Sequence, residues 1–541
     1  MKNINYKTIG IVLSLYILVI CTTHSTSTTY NNLENQTIVE LTNANLFNPQ
    51  LSSNIKWAAN GTIICNKTYD QELPQICSDG SGGAIITWED LSGGITNSDI
   101  YAQRIDTDGN VLWGANGTVI CDAIWPQDEV QICSDGAGGA IITWEDFRSG
   151  GNHDIYAQRI DSDGNIKWAI NGEEICTEID RQNHVQICSD GVGGAILVWE
   201  DGRGKWIGGT GRDIYAQRID SNGITQWTAN GSAICTAAQF QWYPQITSDG
   251  VGGVFITWMD FRNGLTYDIF AQRVNSNGSV MWGSDVPICT ADDTQDYPQI
   301  CSDHAGGAII SWLDYRNMSA TGSDIYAQRV NQNGTTMWTV DGKSISVNPG
   351  TQTAPLICSD GTGGAIIIWS DNRTGNNDIY AQKVEANGIF QWTFDGEAIC
   401  TENGYQSYPE ICSDEHGGAI VTWSDYRNGN SDVYAQWIDS NGIVETNNGF
   451  PICTEDEAQF FHQICSNGTG GAIIVWQDYR SITESDLYAQ YFLTPKQEEH
   501  GETPDGEVSI PFGSFFLFFT FLSVLSLILF KKSRLSLRGN K

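Results

Sequence analysis

The chain has 541 residues, with 64 acidic and 28 basic side chains and a formal net charge of −36. A protein that binds nucleic-acid phosphates needs a basic patch, so this charge excludes nucleic acid as a partner. With 40% hydrophobic and 11% aromatic residues the chain can bury a large core, which excludes a disordered protein.

The N-terminal 25 residues have the layout of a secretory signal. Lys2 and Lys7 precede an apolar run over residues 9–21, and small polar residues follow. We expect cleavage near Ser25, and we interpret residues 26–54 as an N-terminal linker.

Residues 55–493 consist of eight copies of one repeat. A clear copy reads QICSDGAGGAIITWEDFRSGGNHDIYAQRIDSDGNIKW and runs from Gln131 to Trp168. Each copy carries one equivalent tryptophan, 53 to 59 residues after the previous one: Trp88, Trp144, Trp199, Trp258, Trp312, Trp369, Trp423 and Trp476. Regular repetition at this period predicts a repeat architecture.

Each copy divides into four predicted strands. Gln-Ile-Cys-Ser is the first, the apolar Ala-Ile-Ile-Thr-Trp the second and Asp-Ile-Tyr-Ala-Gln-Arg-Ile the third; a short fourth strand ends at a second tryptophan such as Trp113 or Trp168. Gly-rich and Asp-x-Asn-Gly turns separate them. Four-stranded units repeated in this way predict an all-β, eight-bladed β-propeller.

The two ends of the array favour closure over an open solenoid. Residues 55–65 match the last quarter of a repeat, and the final copy stops at Tyr491 without its fourth strand. We expect the N-terminal strand to complete the last blade, which removes the exposed sheet edges.

The motifs GGAIITWED and DIYAQRI, followed by a Trp-x-x-Asn-Gly-x-x-Ile-Cys stretch, resemble those of uncharacterised secreted prokaryotic β-propeller repeat proteins. The resemblance covers the whole array and implies a propeller fold. It implies no activity.

A recurring Trp-x-Asp motif has two interpretations. In all copies but the first, Arg follows the Asp by two residues, as in Asp146 and Arg148, and a further Asp such as Asp154 opens the third strand. Two carboxylates and an Arg could perform acid–base chemistry. Since the set recurs in every copy, we favour an ion pair that fixes the intervening loop.

The chain has 15 cysteines, of which twelve form six pairs with a spacing of 12. In an extracellular protein this regularity favours disulfides, and the alternative is a buried thiol that fills the same space in each blade. The predicted pairs are Cys65 with Cys77, Cys121 with Cys133, Cys176 with Cys188, Cys289 with Cys301, Cys400 with Cys412, and Cys453 with Cys465.

Acidic turns at Asp106–Asp108 and Asp161–Asp163 are weak candidates for calcium, because a full calcium loop needs more oxygen ligands. We therefore expect no cofactor, with calcium as the alternative. The histidines lack metal-ligand spacing.

Departures from the repeat are candidate ligand-binding residues. The longest loop between second and third strands spans residues 201–212 and contains Lys205, Trp206 and Arg212, and a second cluster contains Trp242 and Tyr243. An exposed aromatic side chain on a propeller rim can stack against a sugar or a peptide. The alternative is packing of the insert against a neighbouring blade.

The C-terminus reads as a membrane anchor. Residues 494–508 form a polar linker, the uncharged run at 509–530 is long enough for a transmembrane helix, and residues 531–541 form a basic tail. The basic residues place the tail in the cytoplasm and the propeller outside the cell.

We therefore expect a monomeric, cell-surface binding or scaffold protein without catalysis, whose partners are the membrane and a glycan, envelope component or protein. The alternative is an extracellular hydrolase or quinone-dependent oxidoreductase with its site at the central channel. Near-identity of the blades favours the first, because catalysis needs one converging set of residues. Unique polar residues that converge on the channel mouth would favour the second.

Overall fold

A computed structural model describes residues 54–94, 97–203, 211–446, 448–481 and 484–494. The predicted signal segment, transmembrane helix and basic tail lie outside these residues. Within them, no helix is long and apolar enough to cross a membrane.

In the described residues, thirty-two strands form eight four-stranded antiparallel sheets, which confirms the all-β, eight-bladed propeller. The inner strands are β2 (Gln71–Ser78), β6 (Gln127–Ser134), β10 (Gln182–Ser189), β14 (Gln241–Ser248), β18 (Gln295–Ser302), β22 (Gln352–Ser359), β26 (Gln406–Ser413) and β30 (Gln459–Ser466). The second strands are β3 (Ala84–Asp90), β7 (Ala140–Asp146), β11 (Ala195–Asp201), β15 (Val254–Asp260), β19 (Ala308–Asp314), β23 (Ala365–Asp371), β27 (Ala419–Asp425) and β31 (Gly471–Asp478).

The third strands are β4 (Asp99–Ile105), β8 (Asp154–Ile160), β12 (Asp213–Ile219), β16 (Asp268–Val274), β20 (Asp324–Val330), β24 (Asp378–Val384), β28 (Asp432–Ile438) and β32 (Asp486–Leu493). The outer strands are β1 (Thr62–Cys65), β5 (Thr118–Cys121), β9 (Glu173–Cys176), β13 (Ser232–Cys235), β17 (Val286–Cys289), β21 (Lys343–Ser346), β25 (Glu397–Cys400) and β29 (Phe450–Cys453). Blade one is β2–β5, and the blades are numbered from it in chain order.

The last blade is closed by the N-terminal strand, as the incomplete repeats predict. Its sheet has the order β1–β32–β31–β30, and Thr62 lies opposite Ala489. Leu493 N donates to Asn54 O at 2.7 Å, which extends the junction. Segments from both ends of the array therefore share one sheet, and the ring has no unpaired terminal blade.

The core lies between adjacent blades. Every residue of a second strand such as β7 is buried, because the strand is covered on both faces. Trp144 of this strand is fully buried, and a Cβ on Gly172, whose φ is +91°, would meet its ring at 2.6 Å. Glycine is therefore required in the Asn-Gly turn before the outer strand.

The predicted fourth strand is wrong in its position. Trp113 and Trp168 lie in the connection after the third strand, where Trp113 Nε1 donates to Ser162 O in the next blade at 3.1 Å. The outer strand is the following short segment, as in β5. The second tryptophan thus links neighbouring blades.

The predicted disulfides are also wrong. Cys121 lies on the outer strand of its blade, whereas Cys133 lies on the inner strand of the next. Inner and outer strands are separated by three strand spacings of about 4.8 Å, beyond the reach of a disulfide. All fourteen cysteines in the described part of the chain are free. This corrects every predicted pair: Cys65–Cys77, Cys121–Cys133, Cys176–Cys188, Cys289–Cys301, Cys400–Cys412 and Cys453–Cys465.

Candidate active site at the channel mouth

One face of the propeller, here called the loop face, carries the loops between second and third strands and the connections from each outer strand to the next inner strand. The inner strands begin on this face, around the central channel. The third residue of each inner strand has a positive φ of 48° to 53°, and we call these eight residues the mouth ring: Leu73, Glu129, His184, Tyr243, Tyr297, Ala354, Tyr408 and Phe461.

The mouth ring combines a constant backbone with variable side chains. A left-handed φ is costly for residues other than glycine, and strain of this kind concentrates at functional sites. A register shift accompanies it in every blade, for example between Asp128 and Gln131. The bulge ends regular pairing and turns the residue at its centre toward the mouth.

The Trp-x-Asp-x-Arg motif forms a structural clamp, as favoured above. Asp146 is fully buried and accepts from Trp144 Nε1 at 2.7 Å, from Arg148 Nε at 2.8 Å and from Arg148 Nη2 at 2.6 Å. The guanidinium also lies 3.8 Å from the ring centre of Tyr156. Arg148 Nη2 also donates to Asn171 O in the same blade at 2.7 Å and to Cys121 Sγ of the preceding blade at 3.2 Å, so the clamp is a structural contact within and between blades.

Blade one lacks the arginine, and a lysine from another segment replaces it. Lys67 follows the N-terminal closing strand, and its Nζ donates to Asp90 Oδ1 at 3.2 Å and to the hydroxyl of Tyr101 at 2.8 Å. The clamp therefore persists with a different cation.

A second variable position lies just before the clamp aspartate on each second strand. It is Glu89, Glu145 and Glu200 in blades one to three, whereas the other five blades carry Met259, Leu313, Ser370, Ser424 and Gln477. All three glutamates are buried, with at most 6% exposure. Each accepts a hydrogen bond from the backbone N–H of the mouth-ring residue in the next blade, at 2.7, 2.6 and 2.8 Å respectively.

Glu145 is held by three groups. Its Oε1 accepts from the backbone of His184, while Oε2 lies 2.6 Å from His153 Nδ1 and accepts from Asn183 Nδ2 at 3.0 Å. His153 occupies the position before the third strand, where other blades have Ser, Asn, Tyr or, in blade three, Arg212. Three residues specific to blades two and three thus meet at one carboxylate.

Glu200 connects the next two members of the mouth ring. Its Oε1 lies 2.9 Å from His184 Nδ1, and its Oε2 accepts from Arg212. The Glu200 carboxylate raises the pKa of His184, although burial opposes it. The His184 ring packs 4.7 Å from Tyr243, measured between ring centres, and Tyr243 packs 5.5 Å from Tyr297.

Two further carboxyls on this side have raised pKa values. Burial, with a smaller contribution from Asp128, raises the pKa of Glu89 to about 8. Desolvation and the nearby Glu145 carboxylate raise the pKa of Glu129, which is exposed at the mouth, whereas His184 lowers it. Titratable groups with shifted pKa values that lie close together are candidate functional residues.

We call Glu129, His184 and Tyr243, together with the buried Glu89, Glu145 and Glu200 behind them, the catalytic arc. Glu129 is an exposed titratable side chain at the mouth, and His184 is a partly exposed one. The three buried glutamates fix the backbone or side chains of these residues. The arrangement supplies acid–base groups from four consecutive blades at one edge of the channel.

The residues predicted to bind ligand do not form one site in the structure. Arg212 and Tyr243 both contact Glu200 and belong to this region. Trp242 stacks on Tyr267 with 5.6 Å between ring centres, which agrees with the packing alternative. Lys205 and Trp206 lie outside the described residues.

Sequence reasoning missed Glu129, Glu145, His184 and Glu200. The signal was present as variation at two fixed positions of an otherwise regular repeat.

In the described parts of the chain, no group of three or more His, Cys, Asp or Glu side chains could hold a metal ion. In the turn predicted as a calcium candidate, Asp106 Oδ1 accepts the backbone N–H of Asp108 and Asn110, each at 2.9 Å.

No family model matches the chain, and no curated protein matches it. Solved structures similar to it include a polysaccharide lyase described as a PL25 ulvan lyase, with 10% identity, 66% of this chain and 89% of that chain covered, and a TM-score of 0.42. An α-L-arabinanase from Penicillium chrysogenum has 11% identity, coverage of 59% and 95%, and a TM-score of 0.33. A post-proline cleaving enzyme from Rickettsia typhi has 10% identity, coverage of 76% and 57%, and a TM-score of 0.43.

These neighbours are enzymes, unlike the non-catalytic binding or scaffold protein that the sequence led us to expect. At such low identities and TM-scores they transfer neither function, substrate nor residues. The structure itself corrects the premise of that expectation. The blades are nearly identical in their cores, but unique ionisable residues from several blades converge on the channel mouth.

Proposed function

We propose that the protein is a secreted hydrolase whose active site is the catalytic arc. The observation that carries the proposal is the chain of contacts from Glu145 through His184 to Glu200, which breaks the symmetry of the repeat at the channel mouth. Its extracellular location rests on the signal-like residues 1–25, and its attachment to a membrane rests on the apolar run at 509–530.

The two exposed groups have complementary roles. His184 is kept protonated to higher pH by Glu200, so its imidazolium is the proton donor to the leaving group. Glu129, as a carboxylate, accepts a proton from the attacking water. General acid and general base each contribute about 10²–10⁴-fold to a rate when correctly placed.

The buried residues act on position and charge. Glu145 and Glu89 accept the backbone N–H groups of His184 and Glu129, so they anchor the backbone of both catalytic residues at the mouth. The left-handed φ itself is shared with blades that have no glutamate at this position. Glu200 orients the His184 ring and is itself neutralised by Arg212.

The test is hydrolysis by the full-length chain of p-nitrophenyl glycosides, p-nitrophenyl esters and dye-linked polysaccharides and peptides. For the substrate that is cleaved, Glu129→Gln and His184→Ala should each lower kcat/KM by about 10²-fold or more. Alanine is compatible with this backbone, because Ala354 occupies the equivalent position with φ of 51°.

The matched control is Phe461→Leu in blade eight, since Leu73 already occupies the equivalent position in blade one. This variant should retain full activity. Activity that is unaffected by both substitutions in the arc would refute the proposal.

A further inference from the structure

On the loop face, a pocket of about 550 Å³ lies between blades six and seven. It faces the catalytic arc across the channel mouth, because the junction of blades two and three is four blades away in a ring of eight. Its volume falls within the range of small-ligand sites, about 300–1,000 Å³.

Blade six combines two small residues at the positions that line this pocket, whereas blade seven has the small Ser424 beside the large Tyr408. Ser370 replaces the buried glutamate of blades one to three, and Met259 and Leu313 occupy that position in blades four and five. Ala354 takes the place of a mouth-ring residue that is aromatic in four other blades. Among the eight blades, only blade six has a small residue at both positions.

The walls are aromatic, and the remaining polar groups are uncharged. Tyr405, Tyr408 and Tyr426 line one side, and Ser370, Ser407 and Asn377 contribute hydroxyl and amide groups. None of the lining side chains is an aspartate, glutamate, lysine, arginine or histidine. In a protein with a net charge of −36 this is a local exception, and it fits a neutral ligand.

One polar atom in the pocket has no partner. Ser370 is 2% exposed, and its Oγ makes no hydrogen bond within the described chain. A buried hydroxyl without a partner is costly, and a ligand hydroxyl would satisfy it.

We propose that this pocket is a subsite for a neutral sugar residue, and that the substrate of the catalytic arc is a polysaccharide long enough to span the channel mouth. A sugar ring has an apolar face that stacks on tyrosine and hydroxyls that bond to serine and asparagine. Contact with both sites at once requires a chain of several sugar residues. The inference about the substrate of the catalytic arc rests on the proposed hydrolase function, whereas the inference about the sugar subsite does not.

The experiment measures binding of neutral hexasaccharides with cello-, xylo- and galacto-linkages to the full-length Glu129→Gln chain by isothermal titration calorimetry. Glu129 lies outside the pocket, so this variant should bind without turnover. At least one hexasaccharide should bind, and the corresponding monosaccharide should bind at least tenfold more weakly.

Ser370→Leu, introduced in the same background, fills the pocket with a residue that blade five accepts at Leu313, so it should weaken binding at least tenfold without loss of stability. Tyr408→Ala should also weaken it about tenfold, whereas Phe461→Leu should leave it unchanged. Binding that is insensitive to Ser370→Leu and Tyr408→Ala, or binding of choline in place of any hexasaccharide, would overturn the subsite.

The two proposals fail separately. Pocket-dependent hexasaccharide binding together with no hydrolysis of any probe would support the subsite and refute the hydrolase. Hydrolysis of a polysaccharide with KM unchanged by Ser370→Leu would support the hydrolase and refute the subsite.

Discussion

Glu89 offers a quantitative test of the electrostatics in the catalytic arc. Its carboxyl is 6% exposed, and burial raises its pKa to about 8 from a normal value of 4.5. Between these two pH values the folded chain holds a proton that the unfolded chain has released. The free energy of unfolding therefore falls as pH rises, by up to about 1.4 kcal/mol per pH unit for this one group.

Glu89→Gln removes this cost and keeps an oxygen that can accept the Glu129 N–H. Relative to the unsubstituted chain, we expect similar stability at pH 5 and a gain that grows to about 4 kcal/mol at pH 8. Urea denaturation of both chains at each pH gives the difference, in which the titration of all other groups cancels.

The equivalent residue in the next blade should respond with the opposite sign. Glu145 accepts from His184 N and Asn183 Nδ2 and lies against His153, so Glu145→Gln should destabilise the fold by about 2–4 kcal/mol at pH 7.

Parallel stability curves for Glu89→Gln and the unsubstituted chain between pH 5 and 8 would show that Glu89 is not a buried neutral acid.

Three further predictions concern the framework. Asp146→Asn removes the buried carboxylate of a clamp and should lower the free energy of unfolding by about 3–5 kcal/mol in urea titrations. The control is Asp161→Asn in an exposed turn, which should lower it by less than about 1 kcal/mol because Asn275 occupies the equivalent turn position. Ellman's reagent should detect every cysteine in urea without reductant, and dithiothreitol should leave Tm unchanged; fewer thiols would reveal disulfides. Deleting residues 55–65 exposes the edge of β32 and should cause association detectable by light scattering, whereas a chain that stays monomeric would contradict the closure role.

Repeat period and turn chemistry predicted the fold, because each blade repeats the same buried strand and the same glycine turns. The outer strand was misplaced, since Thr118–Cys121 and the segment around Trp113 are both short and apolar, and sequence pattern alone does not distinguish them. The constant cysteine spacing reflects the repeat itself, in which Cys121 and Cys133 fall on strands at opposite edges of adjacent blades.

The site was harder to predict than the fold. Arg212 and Tyr243 were recognised as departures from the repeat, but their partner Glu200 sits within the Trp-Glu-Asp motif and looks like part of it. His184 and Glu129 lie in the irregular first half of the inner strands, where a left-handed residue interrupts the strand pattern. Only the closed ring brings these positions from separate blades to one mouth.

A crystal structure of the Glu129→Gln chain with its substrate, once the hydrolysis screen has identified that substrate, tests the central claim most directly. We predict that the scissile bond lies at the loop-face mouth, within hydrogen-bonding reach, about 3 Å, of residue 129 and of the His184 ring. A substrate bound elsewhere, with its scissile bond away from both residues, would contradict the assignment of the catalytic arc.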